Sequence, residues 1–449
     1  HLLKYALYRC HWWLYTILQV CGLLTLWPVA LIYLWQVPKS RAGFWQKWGC
    51  YPNDLKNRLN QHRAAKPNQP TLWFHAVSVG EFNALRPVLQ QVSSFTHLVI
   101  STTTATGQRL AHQSLEKADF RDSTVFYFPY DFFWSVASSL NWVQPDLIIL
   151  AETEIWPSFI HQANSRGIPL WIANGRLSDG SYQGYQRFRW AIGPVFEQIN
   201  QCLVQTERDQ ARFQDLCGAG VPVKVTGNLK FDADFQVDEE KRQDLEAALP
   251  FSLSSPIIIF ASTHPGEDEL FLACYQTLKR THPALKIILA PRHPERGEAV
   301  LSLCQQAGIS AQLRTENPSP DSPPADGLIL NTIGELMAAY SLSTIAVVGG
   351  SFIPERGGQN PLEPIGLGIP TLFGPSMKNF RVMVQQILAA EAGIQVKDVN
   401  QLTAAVNRLL TRPNENQPMV QLGGQLLAKN RGACRTVVEA IQHQVKVSP

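Results

Sequence analysis

Short runs of apolar, mostly β-branched residues recur along the chain from residue 71 onward, separated by stretches that mix polar and apolar residues in a helix-like pattern. Continuous apolar runs that alternate with helices are typical of buried parallel strands in βαβ units. The pattern therefore predicts two doubly wound α/β domains. The predicted strands are Leu72–Val77, Leu98–Thr103, Val125–Phe128, Leu147–Ala151, Leu170–Ala173, Cys202–Gln205, Val223–Thr226, Ile257–Ala261, Ile287–Ala290, Gly327–Leu330, Ile345–Val348, Thr371–Phe373 and Ile394–Val396.

The chain is long enough for two domains, because its 449 residues exceed the size at which a single core stops growing. A boundary is predicted near residues 232–256, where a charged helical stretch and a proline-flanked segment separate the two sets of strands. We predict an anchor over residues 1–40, a first Rossmann-like domain over 41–235 and a second over 236–449. Residues 402–443 read as helices, one of which is a candidate for packing back on the first domain.

An apolar stretch in the first forty residues predicts a membrane-anchor helix. No charged residue occurs from Trp12 to Pro38, and such a run can cross about 30 Å of hydrocarbon. Trp and Tyr side chains near its ends fit the headgroup region of a bilayer. A helix lying in the membrane interface and a cleaved signal peptide are the alternatives. The enzyme-like remainder predicts a body that faces the cytoplasm.

Charge is distributed unevenly, although the net charge is only +3. Residues 1–70 hold nine Lys and Arg residues against Asp54 alone. Basic residues beside an anchor attract anionic headgroups, but they can also serve only to set the topology of the anchor. The eight cysteines show no CxxC pair and no zinc-like spacing to histidines, which predicts a reduced compartment and no structural metal. No nucleic-acid partner is expected.

A glycine-rich segment follows the apolar run that ends at Val348 and extends over residues 349–375. Gly349, Gly350, Gly357 and Gly358 would let backbone N–H groups approach a phosphate closely. Plain turns are the alternative for any one glycine pair.

The same segment contains a predicted helix start at Asn360–Pro361. Glu363 then lies in the first turn, where its carboxylate could accept hydrogen bonds from ribose hydroxyls. Together with the glycines, this predicts a site for an anionic, sugar-bearing ligand.

Two groups of carboxylates follow predicted strands of the first domain. Glu81 comes just after Leu72–Val77, and Glu152 and Glu154 follow Leu147–Ala151. Ligands bind beyond the carboxyl ends of strands in doubly wound sheets, which favours a site here. A capping box with Ser78 is the alternative for Glu81. Structural ion pairing, for example with Arg176, is the alternative for Glu152 and Glu154.

The second domain opens with small hydroxyl residues and a histidine, Ser262, Thr263 and His264, after its first predicted strand. Arg292 follows the next strand. Small side chains and an arginine at adjacent strand ends suit a nucleotide phosphate, which arginine can bind through two hydrogen bonds.

The ordered set of motifs resembles the family of transferases that add 3-deoxy-D-manno-octulosonic acid (Kdo) to lipid A precursors. The resemblance covers nearly the whole chain after the apolar stretch. It is carried by HAVSVGEFNALRPVL (75–89), STTTATGQ (101–108), FPYD (128–131), PDLIILAETEIWPSFI (145–160), NGRLSDGSY (174–182), VTGNLKFD (225–232), STHPGEDE (262–269), APRHPER (290–296), NTIGELMAAY (331–340) and the glycine-rich segment.

The resemblance implies an inverting glycosyltransferase with two Rossmann-like domains (GT-B type) and an N-terminal membrane tether. It implies a CMP-Kdo donor, a lipid A-like glycolipid acceptor, no metal or other cofactor in the chemistry, and a place at the inner membrane. The implied general base is Glu81, with Glu152 or Glu154 orienting the acceptor or acting beside the base. The implied donor-binding residues are Ser262, Thr263, His264, Arg292, Gly350, Ser351, Asn360 and Glu363. The implied acceptor-side residues are Ser78, Gly80, Arg176 and Lys230, of which Arg176 and Lys230 are also candidates for the donor carboxylate.

This chain departs from the family pattern on the donor side. Gln359 and Ser376 stand where the family usually has histidines, and the loop over residues 354–356 is one residue longer. These changes would also fit a different acidic sugar or a different glycolipid. Two alternatives therefore remain open: a non-hydrolysing sugar-nucleotide epimerase, and a non-catalytic member that binds glycolipid or nucleotide.

Overall fold

The computed structural model describes residues 12, 15–17, 19–22, 25, 41–115, 123–233, 235–316 and 324–447. The described chain divides into two compact units. Unit 1 contains the residues through Ala233 together with those from Asn430 onward, and unit 2 contains the residues in between. The final segment, which the predicted boundaries assign to the second domain, therefore belongs to unit 1.

Each unit is built on a parallel sheet of seven strands, in the order β3-β2-β1-β4-β5-β6-β7 in unit 1 and β10-β11-β9-β8-β12-β13-β14 in unit 2. The strands of unit 1 are β1 (Thr71–His75), β2 (His97–Thr102), β3 (Thr124–Tyr127), β4 (Leu147–Ala151), β5 (Leu170–Gly175), β6 (Gln201–Val204) and β7 (Val223–Val225). Those of unit 2 are β8 (Ile257–Thr263), β9 (Lys286–Pro291), β10 (Ala311–Leu313), β11 (Gly327–Ile329), β12 (Ile345–Val348), β13 (Thr371–Phe373) and β14 (Ile394–Gln395).

The prediction of two parallel α/β domains is confirmed. Every residue of β1, β2, β4 and β8 is buried, as expected for strands with helices on both faces. The thirteen predicted strands all occur, with ends that differ by no more than two residues. The sequence analysis missed β10, a three-residue strand at the edge of its sheet.

Helices connect the strands, and several begin at a side chain that accepts a hydrogen bond from the first turn, as Ser78, Ser178, Thr206, Asp238 and Asp398 do. The helices are α1 (Phe44–Lys47), α2 (Asn53–Ala65), α3 (Val79–Val92), α4 (Ala105–Leu115), α5 (Phe133–Val143), α6 (Pro157–Ser165), α7 (Asp179–Arg187), α8 (Arg189–Phe196), α9 (Glu207–Cys217), α10 (Glu239–Ala247), α11 (Asp268–Thr281), α12 (Gly297–Gln306), α13 (Leu336–Ser341), α14 (Leu362–Gly366), α15 (Arg381–Ala389), α16 (Val399–Thr411), α17 (Asn416–Asn430) and α18 (Ala433–Val447).

The predicted anchor over residues 1–40 lies largely outside the described residues. Those described between Trp12 and Thr25 are helical and contact unit 1. The Tyr15 hydroxyl donates to Asp131 Oδ2 at 3.0 Å, and Gln19 Nε2 donates to the Asp131 carbonyl at 2.8 Å. Among the residues that the structure describes, no helix is both long and apolar enough to cross a membrane. The anchor stays a prediction.

Helix α18 completes the core of unit 1. Val437 and Ile441 of α18 share a buried apolar cluster with Leu85 and Val88 of α3. The Asp232 carboxylate accepts hydrogen bonds at 2.7 and 2.8 Å from the N–H groups of residues 432 and 434, at the start of this helix. A side chain 200 residues earlier in the chain therefore caps α18.

We predict that Asp232→Ala loosens α18. Two backbone N–H groups lose their acceptor, which should destabilise the helix by about 1–2 kcal/mol. Hydrogen exchange of peptides from residues 433–447 should therefore be faster in this variant. Glu439→Ala is the control, because it removes only a solvent-exposed ion pair with Arg435, which water and salt screen. Equal exchange in the two variants would contradict the capping role.

Candidate active site

The carboxylates of unit 1 lie where the strand order of the sheet reverses. From the central strand β1 the chain proceeds to β2 and β3 on one side, and β4 then pairs with the other side of β1. Connections on the two sides of such a point leave in opposite directions and open a crevice at the carboxyl ends of the strands. Glu81 follows β1, and Glu152 and Glu154 follow β4, so the sheet brings together the three predicted acidic residues.

Glu81 forms the capping box that was the alternative interpretation of its motif. Its carboxylate accepts hydrogen bonds from the Val77 N–H at 2.7 Å and from the Ser78 hydroxyl at 2.9 Å. Ser78 in turn accepts from the Glu81 N–H at 3.3 Å. Each carboxylate oxygen keeps a further lone pair, so this arrangement fixes the side chain without using its full capacity to accept hydrogen bonds.

The environment of Glu81 favours its protonated form. Burial raises the pKa of Glu81, and the nearby negative charge of Glu152 raises it further, while hydrogen bonds and Lys230 oppose the shift. The pKa of Glu154 rises to about 7, mainly through burial and then through the charge of Glu81. Carboxylates that interact in this way titrate as a group near neutral pH, which is typical of acid–base sites.

Backbone strain is concentrated at the ends of β4 and β5. Glu152 has a φ of 53° and Asn174 a φ of 58°, values that non-glycine residues rarely adopt. Each residue is held by a polar contact: the Glu152 carboxylate accepts from Lys230 Nζ at 3.0 Å, and Asn174 Oδ1 accepts from the Leu229 N–H at 3.0 Å. The segment that carries Lys230 is thereby tied to both strand ends.

The other predicted acceptor-side residues also lie in these loops. Arg176 follows β5, and its backbone carbonyl accepts a hydrogen bond from the Thr153 hydroxyl, which joins the loops after β4 and β5. Gly80 lies in the first turn of α3. An added Cβ there would meet only the Ser78 hydroxyl, at 3.8 Å, so packing does not demand glycine at this position.

Unit 2 repeats the topology of unit 1, with the reversal between β8 and β12. Ser262 and Thr263 end β8 and His264 follows, while Gly350 and Ser351 follow β12. These loops are joined by Glu267, which the sequence analysis did not single out.

The Glu267 carboxylate is fully buried. It accepts hydrogen bonds from the N–H groups of His264, Gly350 and Phe352 at 2.9, 2.7 and 2.9 Å. Because two of these donors follow β12 and one follows β8, Glu267 sets the spacing of the loops. The STHPGEDE motif contains it, but no local pattern reveals its partners.

The glycine-rich segment differs from the prediction, because three of its N–H groups are used inside the protein. Gly349 donates to the Ala261 carbonyl at 2.7 Å, Gly350 donates to Glu267, and Gly358 donates to the Gly350 carbonyl at 2.7 Å. The expected approach of these N–H groups to a phosphate is therefore wrong. Gly349 is required for close packing, since a Cβ there would lie 2.9 Å from the carbonyl oxygens of Ala261 and Ser262.

Two of the predicted donor-binding hydroxyls are also fully buried. Thr263 donates to Asp268 Oδ1 at 2.5 Å. The Ser351 hydroxyl donates to the Val348 carbonyl at 2.5 Å and accepts from the Gly374 N–H at 2.8 Å. The structure therefore assigns both side chains to the support of the loops.

Positive charge gathers around His264. Burial lowers its pKa to about 4, and the charges of Arg356, His293, Arg292 and Arg296 lower it further. The sequence analysis noted the longer loop around residue 356 but did not recognise that it brings an arginine to this site. This positive field suits an anionic ligand.

Arg292 also faces the predicted ribose-binding carboxylate. Burial raises the pKa of Glu363, while a hydrogen bond from Asn360 and the charge of Arg292 lower it. Helix α14 begins at Leu362, later than expected, and Asn360 Oδ1 accepts from the Leu362 N–H at 3.2 Å. Glu363 lies in the first turn, as predicted.

The two departures from the family pattern lie in the same part of unit 2. Gln359 Nε2 is 3.4 Å from His264 Nε2, and the Ser376 hydroxyl donates to the Pro354 carbonyl at 3.1 Å. Ser376 thus holds the longer loop that carries Arg356. Among the described residues, no group of three or more His, Cys, Asp or Glu side chains could hold a metal ion.

Comparison with known proteins points in one direction. A family model described as 3-deoxy-D-manno-octulosonic-acid transferase (kdotransferase) matches residues 46–233. A 3-deoxy-D-manno-octulosonic acid transferase of Haemophilus influenzae is 32% identical over 430 residues, which cover 95% of this chain and 97% of the relative. One from Bordetella pertussis is 30% identical over 421 residues, covering 92% and 96%.

Among solved structures, the UDP-GlcNAc 2-epimerase of Neisseria meningitidis bound to UDP-GlcNAc aligns with a TM-score of 0.57 and 13% identity. The alignment covers 83% of this chain and all of the epimerase chain. At this low identity the similarity establishes the fold alone.

We predict that Glu267→Gln loosens the loops of unit 2. The new amide NH₂ faces backbone N–H groups that need an acceptor, which should cost about 1–3 kcal/mol. Hydrogen exchange of peptides 262–267 and 349–353 should become faster, and the affinity for CMP should fall about tenfold. Glu269→Gln, an exposed position in α11, is the matched control. Unchanged exchange in Glu267→Gln would refute the bridging role.

Proposed function

The chain belongs to the 3-deoxy-D-manno-octulosonic-acid (Kdo) transferase family, and we propose that it moves Kdo from CMP-Kdo to a lipid A precursor in lipopolysaccharide biosynthesis. The observation that carries this proposal is the set of coupled carboxylates at the strand-order reversal of unit 1, in a chain 32% identical to a Kdo transferase. The fold by itself does not decide between transferase and epimerase, because both use it.

We assign the general base to Glu81. Its carboxylate takes the proton from an acceptor hydroxyl as the hydroxyl oxygen attacks the anomeric carbon of Kdo. The new C–O bond forms while the bond from that carbon to the CMP phosphate oxygen breaks, and CMP leaves with the electron pair. The hydrogen bonds from Val77 and Ser78 support this role, because they hold the carboxylate in place before the acceptor binds.

Glu154 is proposed to bind the acceptor beside the base. With a pKa of about 7 it carries a proton through much of the neutral range, so it can donate a hydrogen bond to a sugar oxygen while Glu81 is ionised. Glu152 pairs with Lys230 at 3.0 Å and positions that lysine. Lys230 and Arg176 are the proposed partners for an anionic group, either an acceptor phosphate or the donor carboxylate.

Unit 2 is proposed to hold the CMP part of the donor. Arg292 and Arg356 supply positive charge that offsets the charge of the departing phosphate, and His264 lies between them and Gln359. Glu363, held by Asn360, is proposed to accept hydrogen bonds from the ribose hydroxyls. Arg356 provides a permanent charge in the part of the chain where the family's two histidines are replaced.

We further propose that the reaction takes place at the cytoplasmic face of the inner membrane and needs no metal or organic cofactor. The lipid acceptor and the basic segment over residues 1–70 support the membrane site. The proposed base and cationic groups cover the proton transfer and the charge on the leaving group.

Glu81→Gln should lower kcat about 10²- to 10⁴-fold, because it removes the base while preserving the shape of the side chain. The assay is transfer of labelled Kdo, from CMP-Kdo generated in situ, to a tetraacylated lipid A precursor in detergent. Binding of CMP should be unchanged in the variant. Glu207→Gln, which alters an exposed carboxylate of α9 in the same unit, is the control and should keep full activity.

Three outcomes of this assay would redirect the proposal. Turnover of a soluble nucleotide-sugar without any lipid would favour an epimerase. CMP or glycolipid binding without transfer by the wild type would favour a non-catalytic member of the family or a different acidic donor. Full activity in Glu81→Gln would move the base to another residue.

The pH profile supplies an independent test of the base. Since burial and Glu152 raise the pKa of Glu81, the acid limb of kcat/KM should lie above the ordinary glutamate value of 4.5. The base works only when ionised, so activity is lost as the pH falls through this raised pKa. Glu152→Gln removes a negative neighbour and should move the limb to lower pH, whereas Lys230→Met should move it to higher pH. Shifts in the same direction would contradict the assignment.

A further inference from the structure

An apolar groove of about 590 Å³ lies on unit 1 among helices α6, α7 and α8. Its volume falls within the range of about 300–1,000 Å³ found for small-molecule pockets. Phe188 and Trp190 lie at its surface with 55% and 66% of their area exposed. Large aromatic side chains exposed together mark a binding surface more often than they mark a plain surface.

The groove adjoins the carboxylates of the candidate active site. Pro157, which lines it, begins α6 only three residues after Glu154. Tyr185 lines it from α7, and the pKa of this tyrosine is raised by burial and then by the negative charge of Glu154. A ligand that places a hydroxyl at the carboxylates can therefore extend an apolar part into the groove.

Part of the groove wall comes from the apolar N-terminal stretch. Trp12 stacks on His161 of α6 with ring centroids 5.0 Å apart, and Tyr15 lies beside it, bonded to Asp131 at 3.0 Å. This stretch is the part of the chain predicted to contact the bilayer. The same groove thus adjoins both the carboxylates and the segment predicted to meet lipid.

We propose that this groove binds an acyl chain of the glycolipid acceptor while its sugar hydroxyl lies at Glu81. The inference rests on the proposed function, which supplies a lipid acceptor. An acyl chain matches the apolar lining, and burying it favours the acylated acceptor over a water-soluble one. Arg187 and Arg189 flank the exposed Phe188, so basic groups border the groove where the phosphates of such a lipid would need counter-charge.

The test fills the groove without disturbing the fold. Gly184 lies in α7 and lines the groove, and an added Cβ there meets nothing within 4 Å. Gly184→Leu should therefore fold normally, since leucine also favours the helix. We expect kcat/KM for the tetraacylated precursor to fall about tenfold or more, and kcat/KM for the same precursor after deacylation to stay unchanged.

Gly180→Leu is the matched control. Gly180 lies one turn earlier in α7, also with open space around an added Cβ, but it does not line the groove. It should leave both acceptors unaffected. Equal kinetics of Gly184→Leu and Gly180→Leu with the acylated acceptor would overturn the proposal.

A binding measurement separates this inference from the proposed function. Dibromostearate, whose bromines quench nearby indoles, should quench the fluorescence of Trp12 and Trp190 in wild type and in Gly180→Leu, but much less in Gly184→Leu. This signal does not depend on Kdo transfer. Quenching without transfer would keep the groove and reject the Kdo reaction. Transfer that Gly184→Leu leaves intact, without quenching in the wild type, would reject the groove alone.

Discussion

The parallel sheet, buried on both faces, is the constraint on which the rest of each unit depends. Burial forces the strands to be continuous apolar runs, and helical crossovers place all their carboxyl ends at one edge. Polar residues can then appear only in the loops that leave this edge. In both units the chemically interesting side chains follow the two central strands between which the order reverses: β1 and β4 in one, β8 and β12 in the other.

Two buried carboxylates show how this edge is used differently in the two units. Glu267 is surrounded by three backbone N–H groups and serves as a fixed bridge between loops. Glu81 accepts one N–H and one hydroxyl and lies near two other carboxylates. The number of donors and the charge of the neighbours, rather than burial itself, distinguish a structural acid from one suited to proton transfer.

The sequence predicted most of the fold because the strands are long apolar runs, and it missed β10 because Ala311–Leu313 is too short to show a period. It found Glu81, Glu152 and Glu154 because residues directly after a strand must lie at the sheet edge. It failed on the N–H groups of Gly349 and Gly350, because spacing shows where a chain bends but not which acceptor each N–H group meets. The bridging role of Glu267 depends on contacts between loops 83 and 85 residues apart, which no local pattern contains.

The capping of α18 by Asp232 has a consequence for the order of events during synthesis. Unit 2 is one continuous segment, so its whole core is present once residue 429 has left the ribosome. Unit 1 is translated first, yet one face of α3 stays uncovered until the residues after 430 emerge. The later unit can therefore reach its native state before the earlier one, and during that interval the exposed face of α3 is a surface that chaperones can recognise.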